Sequence, residues 1–366
     1  MARGGLDADP RNLRLAYGVC YGHVPGLRWR LESAAAKLIT PAARAGSWPA
    51  AIRRNQTLGA GLVPKHGSDD PVGQSAVMLT LLPQQLVNGL VLGSTYAFVA
   101  LGLTLVFGVL LIPNFAHGEL FMLGAFFTSA LVAFGADFWL SVCAATLAVG
   151  LVGLVLDQLA FKPIENAPHL SLLISALAAS TIMAQVAELI WGSGSRITPT
   201  SIDGVLRNDW FSVTYLQLVI FVSLLICSAL VWLIINHSRL GLAIRAMSQN
   251  RSAAALMGIE LGHVRIATFV LASALGGLSG ALLGATLPIS TAMGLGPTLK
   301  AFVVLVLGGV GSLPGAILGG LGLGLVEVLV AGYISSEMQD IGTFLILVLV
   351  LMIRPQGVLG QAEVER

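Results

Sequence analysis

A chain of 366 residues that is 56% hydrophobic and only 10% charged cannot cover itself with an ordinary water-soluble surface, because soluble domains carry roughly 25% charged residues. Its mean hydropathy of +0.86 agrees. The net charge of +2 is uneven: residues 1–77 hold 10 Lys/Arg against 5 Asp/Glu and residues 78–366 hold 10 against 13, so the basicity belongs to the first segment, and no nucleic-acid signature accompanies it.

Residues 1–77 are Arg-rich, with scattered Pro and Gly, and contain no apolar run long enough to span a bilayer. They also lack the short basic start and apolar stretch of a signal peptide. Three readings stand: a disordered basic tail, translation that begins at Met78, or, behind these two, a functional cytoplasmic extension. Deletion of 1–77 is expected to leave membrane insertion and activity intact. From Met78 to residue 360, apolar runs near twenty residues recur, each long enough for about 30 Å of hydrocarbon. They are continuous and rich in Leu, Ala and Gly, not alternating, which favours helices over barrel strands. The runs cover residues 79–112, 118–134, 139–159, 171–191, 215–235, 266–287, 300–307, 316–333 and 341–353. The fold class is therefore all-α, a polytopic transmembrane bundle in lipid. It has eight or nine passes, depending on whether the short pieces are full spans or re-entrant halves. Residues 361–366 read as a polar tail. Cys20, Cys143 and Cys227 stand at no metal or redox spacing, so no metal site or disulfide framework is expected.

Orientation follows from the basic loops. The connection over residues 236–265 carries Arg239, Arg245, Arg251 and Arg265 and is placed in the cytoplasm. Residues 161–170, with Lys162, then fall on the same side, and residues 192–214 outside. Small residues repeat at four-residue spacing in Gly89/Gly93, Gly276/Gly280/Gly284 and Gly315/Gly319. Such pairs let helix backbones approach closely in lipid, and packing is their expected role.

Three features inside the body could carry function. The first is Pro113-Asn114-Phe115-Ala116-His117-Gly118-Glu119, which lies between two apolar runs with no polar loop around it. Pro113 ends one helix and Asn114 is expected to cap the next. One reading puts the resulting helix N-terminus at membrane depth, lining a substrate site where it could meet an anionic group, with Glu119 or His117 ready for a cationic one. The other is a tight turn at the cytoplasmic surface, with His117 and Glu119 in water. The second feature is the break at Gly308, Gly309 and Gly311, ending in Pro314-Gly315. It repeats the layout of the first and is read either as a diverged internal repeat with an unwound gate segment or as a flexible turn. The third is the set of ionisable residues within spans. Asp157 and Glu188 sit near predicted ends, so snorkelling to water accounts for them. Glu327 is deepest and is the candidate for a pathway residue or an interhelical hydrogen bond. No convergent catalytic set appears, and the chain is not expected to be an enzyme.

The loop 238–259 reads as two short helices, residues 242–247 and 252–257, with Gly258 as a left-handed stop, and on its residues alone it is either an interfacial helix held by lipid headgroups or a docking knob for a cytoplasmic partner. Its residues resemble a known family. Ser252-Ala253-Ala254 followed by Gly258 is similar to the EAA-x3-G loop of ABC importer permeases, and Arg239, Gly241 and Arg245 resemble the form found in branched-chain amino-acid permeases of the LivH type. Gln85-Leu86-Val87-Asn88-Gly89, Asn114-Phe115-Ala116-His117-Gly118-Glu119, Lys162-Pro163-Ile164, Leu307-Gly308-Gly309 with Gly311-Ser312-Leu313-Pro314-Gly315, and Arg354-Pro355-Gln356-Gly357 extend the resemblance over roughly residues 80–360. Ser252 departs from the family's usual Glu. The resemblance implies a bacterial inner-membrane permease subunit whose ATPase-coupling loop holds Arg239, Gly241, Arg245, Arg251, Ser252, Ala253, Ala254 and Gly258. It implies as partners a second, LivM-like permease subunit, two cytoplasmic ABC ATPases and a periplasmic substrate-binding protein. The chain carries no Gly-x4-Gly-Lys-Ser/Thr phosphate loop, so ATP is expected to be hydrolysed by the partners, with no cofactor in this chain. Branched-chain amino acids are the implied substrate. A urea or short-amide permease of the same superfamily shares these motifs, and a secondary transporter is the more distant alternative.

Overall fold

The structure is a computed structural model described over residues 71–110, 114–200, 202, 204–208, 211–354 and 356–360, with side chains from residue 81 onward apart from residue 169. The expectations for residues 1–70, Pro113, Pro355 and 361–366 lie outside the described residues. Eleven helices are described: α1 (Pro71–Leu110), α2 (His117–Ala133), α3 (Phe138–Leu156), α4 (His169–Trp191), α5 (Tyr215–His237), α6 (Arg239–Gln249), α7 (Arg251–Leu256), α8 (Leu261–Leu283), α9 (Leu295–Gly308), α10 (Leu313–Tyr333) and α11 (Gln339–Ile353). A short antiparallel hairpin, β1 (Val205–Arg207) with β2 (Ser212–Thr214), joins α4 to α5. The boundary expected at Met78 falls inside α1.

Among the described residues, seven helical segments are long and apolar enough to cross a membrane, and α2 and α9 are shorter apolar helices. The polytopic helical bundle read from the sequence is thus the fold. The long helices are apolar nearly all round, as lipid-facing and bundle-facing sides both require. α6 is different: Gly241, Ile244 and Met247 are buried at three-residue spacing while Arg239 and Leu242 are exposed. Local chemistry sets the helix starts. Asp137 accepts from the Trp139 amide at 2.9 Å, Ser238 from Gly241 at 2.9 Å, Asn250 from Ala253 at 2.9 Å and Ser312 from Gly315 at 3.1 Å, each satisfying an amide that the helix leaves free.

The small-residue repeats pack as expected. Gly89 and Gly93 of α1 seat on Leu325 and Leu321 of α10: a Cβ on Gly89 would come 2.8 Å from the Leu325 Cα, and one on Gly93 2.7 Å from the Leu321 Cα. As the number rises on α1 it falls on α10, so the two run antiparallel. Gly276 and Gly280 of α8, and Gly284 just past its end, face His117, Phe121 and Ala125 of α2, and this rising register makes α2 and α8 parallel. Gly277 meets Val149 and Gly153 meets Ser273, which sets α3 antiparallel to α8.

These registers define two ends of the bundle. At one end α6 packs on Val109 and Leu110 of α1 and on Val264 and Leu261 of α8. At the other, the Gln84 side chain joins Ser212 of the hairpin, accepting from its amide at 2.7 Å, and Arg196 pairs with Ile289 as an isolated bridge. We call these the loop end and the hairpin end. Glu165 lies 3.3 Å from Arg251, so residues 161–170 and the arginine loop share one end, as the charge argument required.

Candidate functional site

α1 runs down to the loop end at Leu110, yet His117, where α2 begins, lies well inside the bundle. A Cβ on Gly102 would come 2.6 Å from the His117 ring, and one on Gly276 would come 3.2 Å from it. Both glycines are interior to long spans, so α2 begins at membrane depth and not at a surface. α9 does the same from the opposite direction. The backbones of Gly118 and Gly294 touch, since a Cβ on Gly294 would come 2.8 Å from the Gly118 carbonyl oxygen and one on Gly118 would overlap the Thr298 hydroxyl. From there α9 runs parallel to α1 toward the loop end, with Lys300 beside Tyr96 and Gly311 beside Gly108. Two half-length helices therefore start within one turn of each other in the middle of the bundle. Each directs the positive end of its dipole into that region.

Around this junction sit polar side chains that water cannot reach. Asn114, His117 and Glu119 are buried. Both polar atoms of Asn114, both ring nitrogens of His117 and Oε2 of Glu119 have no hydrogen-bond partner of good geometry, although the Val99 backbone lies near enough to interact with the His117 ring. Glu119 Oε1 accepts from the Ser180 hydroxyl of α4 at 3.1 Å. Phe115 stacks on Phe302 of α9 at 5.8 Å between centroids, closing the side toward Leu103 and Thr298. The expected cap at Asn114 is not made. Ala116 holds the N-cap position with no side-chain hydrogen bond, and Asn114 contributes only its carbonyl, to the His117 amide at 3.2 Å. The helix begins only at His117, after Phe115 and Ala116, so Asn114 stands ahead of the capping position.

A second polar cluster lies farther along α9. Lys300 Nζ is 2.8 Å from Glu327 and 3.2 Å from Asp340. The fully buried Glu327 also accepts from Tyr96 at 2.6 Å, Thr343 at 2.6 Å and Gln339 at 2.9 Å. Glu327 is thus the interhelical hydrogen-bonding residue its depth suggested, joining α1, α9, α10 and α11.

A family profile described as "Branched-chain amino acid transport system / permease component" matches residues 85–353. The chain belongs to this permease family. It is 37% identical over 298 residues to the high-affinity branched-chain amino acid transport system permease protein LivH of Escherichia coli, covering 77% of this chain and 97% of that one. It is 36% identical, with the same coverage, to the permease protein BraD of Pseudomonas aeruginosa. Among solved structures, a chain of PsaBC from Streptococcus pneumoniae in complex with Fab aligns at 12% identity with a TM-score of 0.42, covering 75% of this chain and 91% of that chain. Family and spans together make this a multi-pass protein of the bacterial inner membrane.

The permease's arginine loop is more helical than its sequence suggested: α6 extends to Arg239–Gln249 and α7 covers Arg251–Leu256. Arg239 is exposed, and Arg245 donates to Asn236 at 3.0 Å. Ser252 and Ala253 are exposed, while Ala254 is buried. Gly258 ends the helix at φ +81 with open space around it. The Gly308–Gly311 break lies at the loop end, away from the His117 junction. Gly309 and Gly311 take φ of +98 and +79, and Ser312 opens α10 directly after. The deep counterpart of the 114–119 break is therefore the segment before α9, which ends at Gly294 and carries no Pro-Asn signal.

Two further corrections concern charge. Asp157 does not snorkel: it is fully buried and bonds the buried Arg265, Nε to Oδ1 at 2.8 Å. It sits at the start of a π-helical turn, Asp157–Phe161, which carries α3 past its regular end. Arg265 had been read only as a loop charge. A base and an acid near span ends of so charge-poor a chain were the signal that they pair. Tyr96, Ser180 and Thr298 were also missed, because single hydroxyls in apolar runs carry no spacing signal.

Proposed function

We propose that this chain is the membrane-spanning permease subunit of an ABC importer for branched-chain amino acids. Separate ATPase subunits hydrolyse ATP, so the chain needs no cofactor of its own. Its partners are a second permease subunit, two cytoplasmic ATPases and a periplasmic substrate-binding protein. Family membership and the names of the relatives support the substrate class. The observation that carries the ATPase docking is the tip of α7, where Leu256 is 89% and Met257 82% exposed at the loop end. A short helix ending in bare apolar side chains fits a protein cleft. Between them α6 and α7 carry Arg239, Arg245 and Arg251, and Gly258 lets the chain turn back without a side chain in the way. Val at position 258 would be forced into a left-handed conformation that β-branched residues avoid. Gly258→Val is therefore expected to leave the protein inserted and to lower amino-acid uptake per ATP hydrolysed at least fivefold in proteoliposomes that hold the whole transporter. Unchanged coupling would remove the docking assignment.

In the same reading the solute passes beside the His117–Gly294 junction. An α-amino acid carries an anion and a cation two bonds apart. The two helix N-termini suit its carboxylate, and the free oxygen of Glu119 suits its ammonium. Asn114 and His117 supply further polar contacts. The Gly308–Gly311 turn and Glu327 anchor the part of α9 that lies beyond the junction and would move with it. Glu119→Gln is expected to cut leucine uptake at least tenfold with insertion unchanged. Uptake within twofold of the parent would exclude Glu119 from the path.

A further inference from the structure

The docking loop and the interior of the bundle are joined by four alternating charges. Arg251 on α7 lies 3.3 Å from Oε1 of Glu165. The other oxygen of Glu165 meets the Nη1 nitrogen of Arg265. Arg265 in turn holds Asp157, 2.8 Å away at the head of the π-helical turn. Exposure falls along the series: the Arg251 side chain is 49% exposed, Glu165 32%, Arg265 5% and Asp157 0%. Glu165 is the only one of these residues that touches both the docking helix and the buried pair. It belongs neither to the arginine loop nor to the junction.

We propose that Glu165 is a positioning residue that couples displacement of α7 to the core helices. The reasoning rests on the importer reading above. Arg265 lies near the start of α8, and the interior of that helix reaches His117 at Gly276. The eleven helical rises from Arg265 to Gly276 span about 16 Å at 1.5 Å per residue. Along that length α8 is interlocked with α3 through Gly277 against Val149 and Gly153 against Ser273. It is interlocked with α2 through Gly280 against Phe121. Packing this tight transmits a shift with little loss. A π turn is a local irregularity often found where a helix changes register at a functional site, and here the acid at its head is held by the arginine of the series. The two carboxylates share one guanidinium, so a pull on Glu165 by Arg251 weakens or strengthens its hold on Arg265, and Asp157 takes up the difference. The element with two arrangements that such coupling requires is this shared guanidinium with the π turn beneath it.

The test uses the complete transporter, purified with its co-expressed partner subunits and reconstituted with binding protein, in the parent and in Glu165→Gln, Arg251→Gln and the double variant. Leucine uptake and ATP hydrolysis are measured together. Glu165→Gln keeps the shape and half-exposed setting of the side chain, so folding is expected to survive. It should lower leucine moved per ATP at least fivefold. Glu165→Asp, which keeps the charge, should recover at least half of that loss. The double variant should be no worse than the poorer single one, because both remove the same link. A ratio equal to the parent's in Glu165→Gln overturns the proposal, and so do single effects that multiply in the double variant. A merely structural role would lower yield or thermal stability without moving the ratio. Should the parent itself show no leucine-dependent ATP hydrolysis, the importer reading fails and takes this inference with it. If only the variants behave as the parent does, this inference falls alone.

Discussion

Arg265→Met is expected to cost the fold about 3–5 kcal/mol, the usual penalty when one partner of a buried ion pair is removed and the other is stranded. Asp157 is fully buried, and besides Arg265 its carboxylate accepts a hydrogen bond from Gln158 Nε2 at 3.3 Å. Glu165 would be left with Arg251 alone. The loss is read as a lower midpoint of unfolding in detergent, followed by tryptophan fluorescence or by protease resistance. The paired variant Asp157→Leu/Arg265→Met removes both charges, and it should recover most of the loss because an apolar pair of similar volume is often as stable as a buried salt bridge. Were Arg265→Met as stable as the parent, the pair would not be buried as described. Stability restored in the double variant without restored transport would separate the structural part of this cluster from its part in coupling.

Gly280→Leu is expected to be the most damaging single change in the helix contacts. Even a Cβ there would overlap the Phe121 carbonyl oxygen. That atom belongs to a helix backbone and cannot rotate away, so α2 and α8 must separate. Overpacking of cores costs typically about 1–3 kcal/mol and occasionally more, and a clash with backbone belongs at or above the upper end. The same separation would pull Gly276 from His117 and open the junction. Both a drop in folded yield and loss of uptake are expected, whereas Gly322→Leu, with nothing near its missing Cβ, should fold as the parent does. Equal stability of the two variants would contradict the α2–α8 register.

The sequence made the fold class, the spans and the small-residue contacts legible because each depends on local pattern. Apolar length reports crossing of a bilayer, and four-residue glycine spacing reports close helix contact. Gly258 was legible for the same reason, since a glycine closing a short helix marks a left-handed residue. What was hidden depends on depth. Asn114 could be seen as a cap candidate, but only the path of the chain shows that Ala116 takes the N-cap position. Asp157 looked like a snorkelling acid because its partner lies 108 residues away. Lys300 opens the short apolar run 300–307, and only the parallel course of α9 and α1 brings it to Tyr96 and Glu327. Resemblance between the two Pro-containing breaks misled in the same way: the one at Gly308–Gly311 lies at a bundle end, and the deep partner of Asn114–Glu119 was the plain segment before Leu295.

One tie at the loop end bears on the order in which the protein is built. The carbonyls of Leu307 and Gly308, left free where α9 stops, accept from the amides of Val358 and Leu359 at 2.8 and 3.1 Å. Gly357 and Gly360 lie against Gly309 at distances that admit no side chain, a Cβ on Gly357 coming 2.6 Å from the Gly309 nitrogen. Chains fold from the N-terminal side as they are made, yet this corner cannot close until residues 357–360 have left the ribosome. The anchoring of the loop end of α9 thus comes late in synthesis, after the spans that precede residue 357 have all been made.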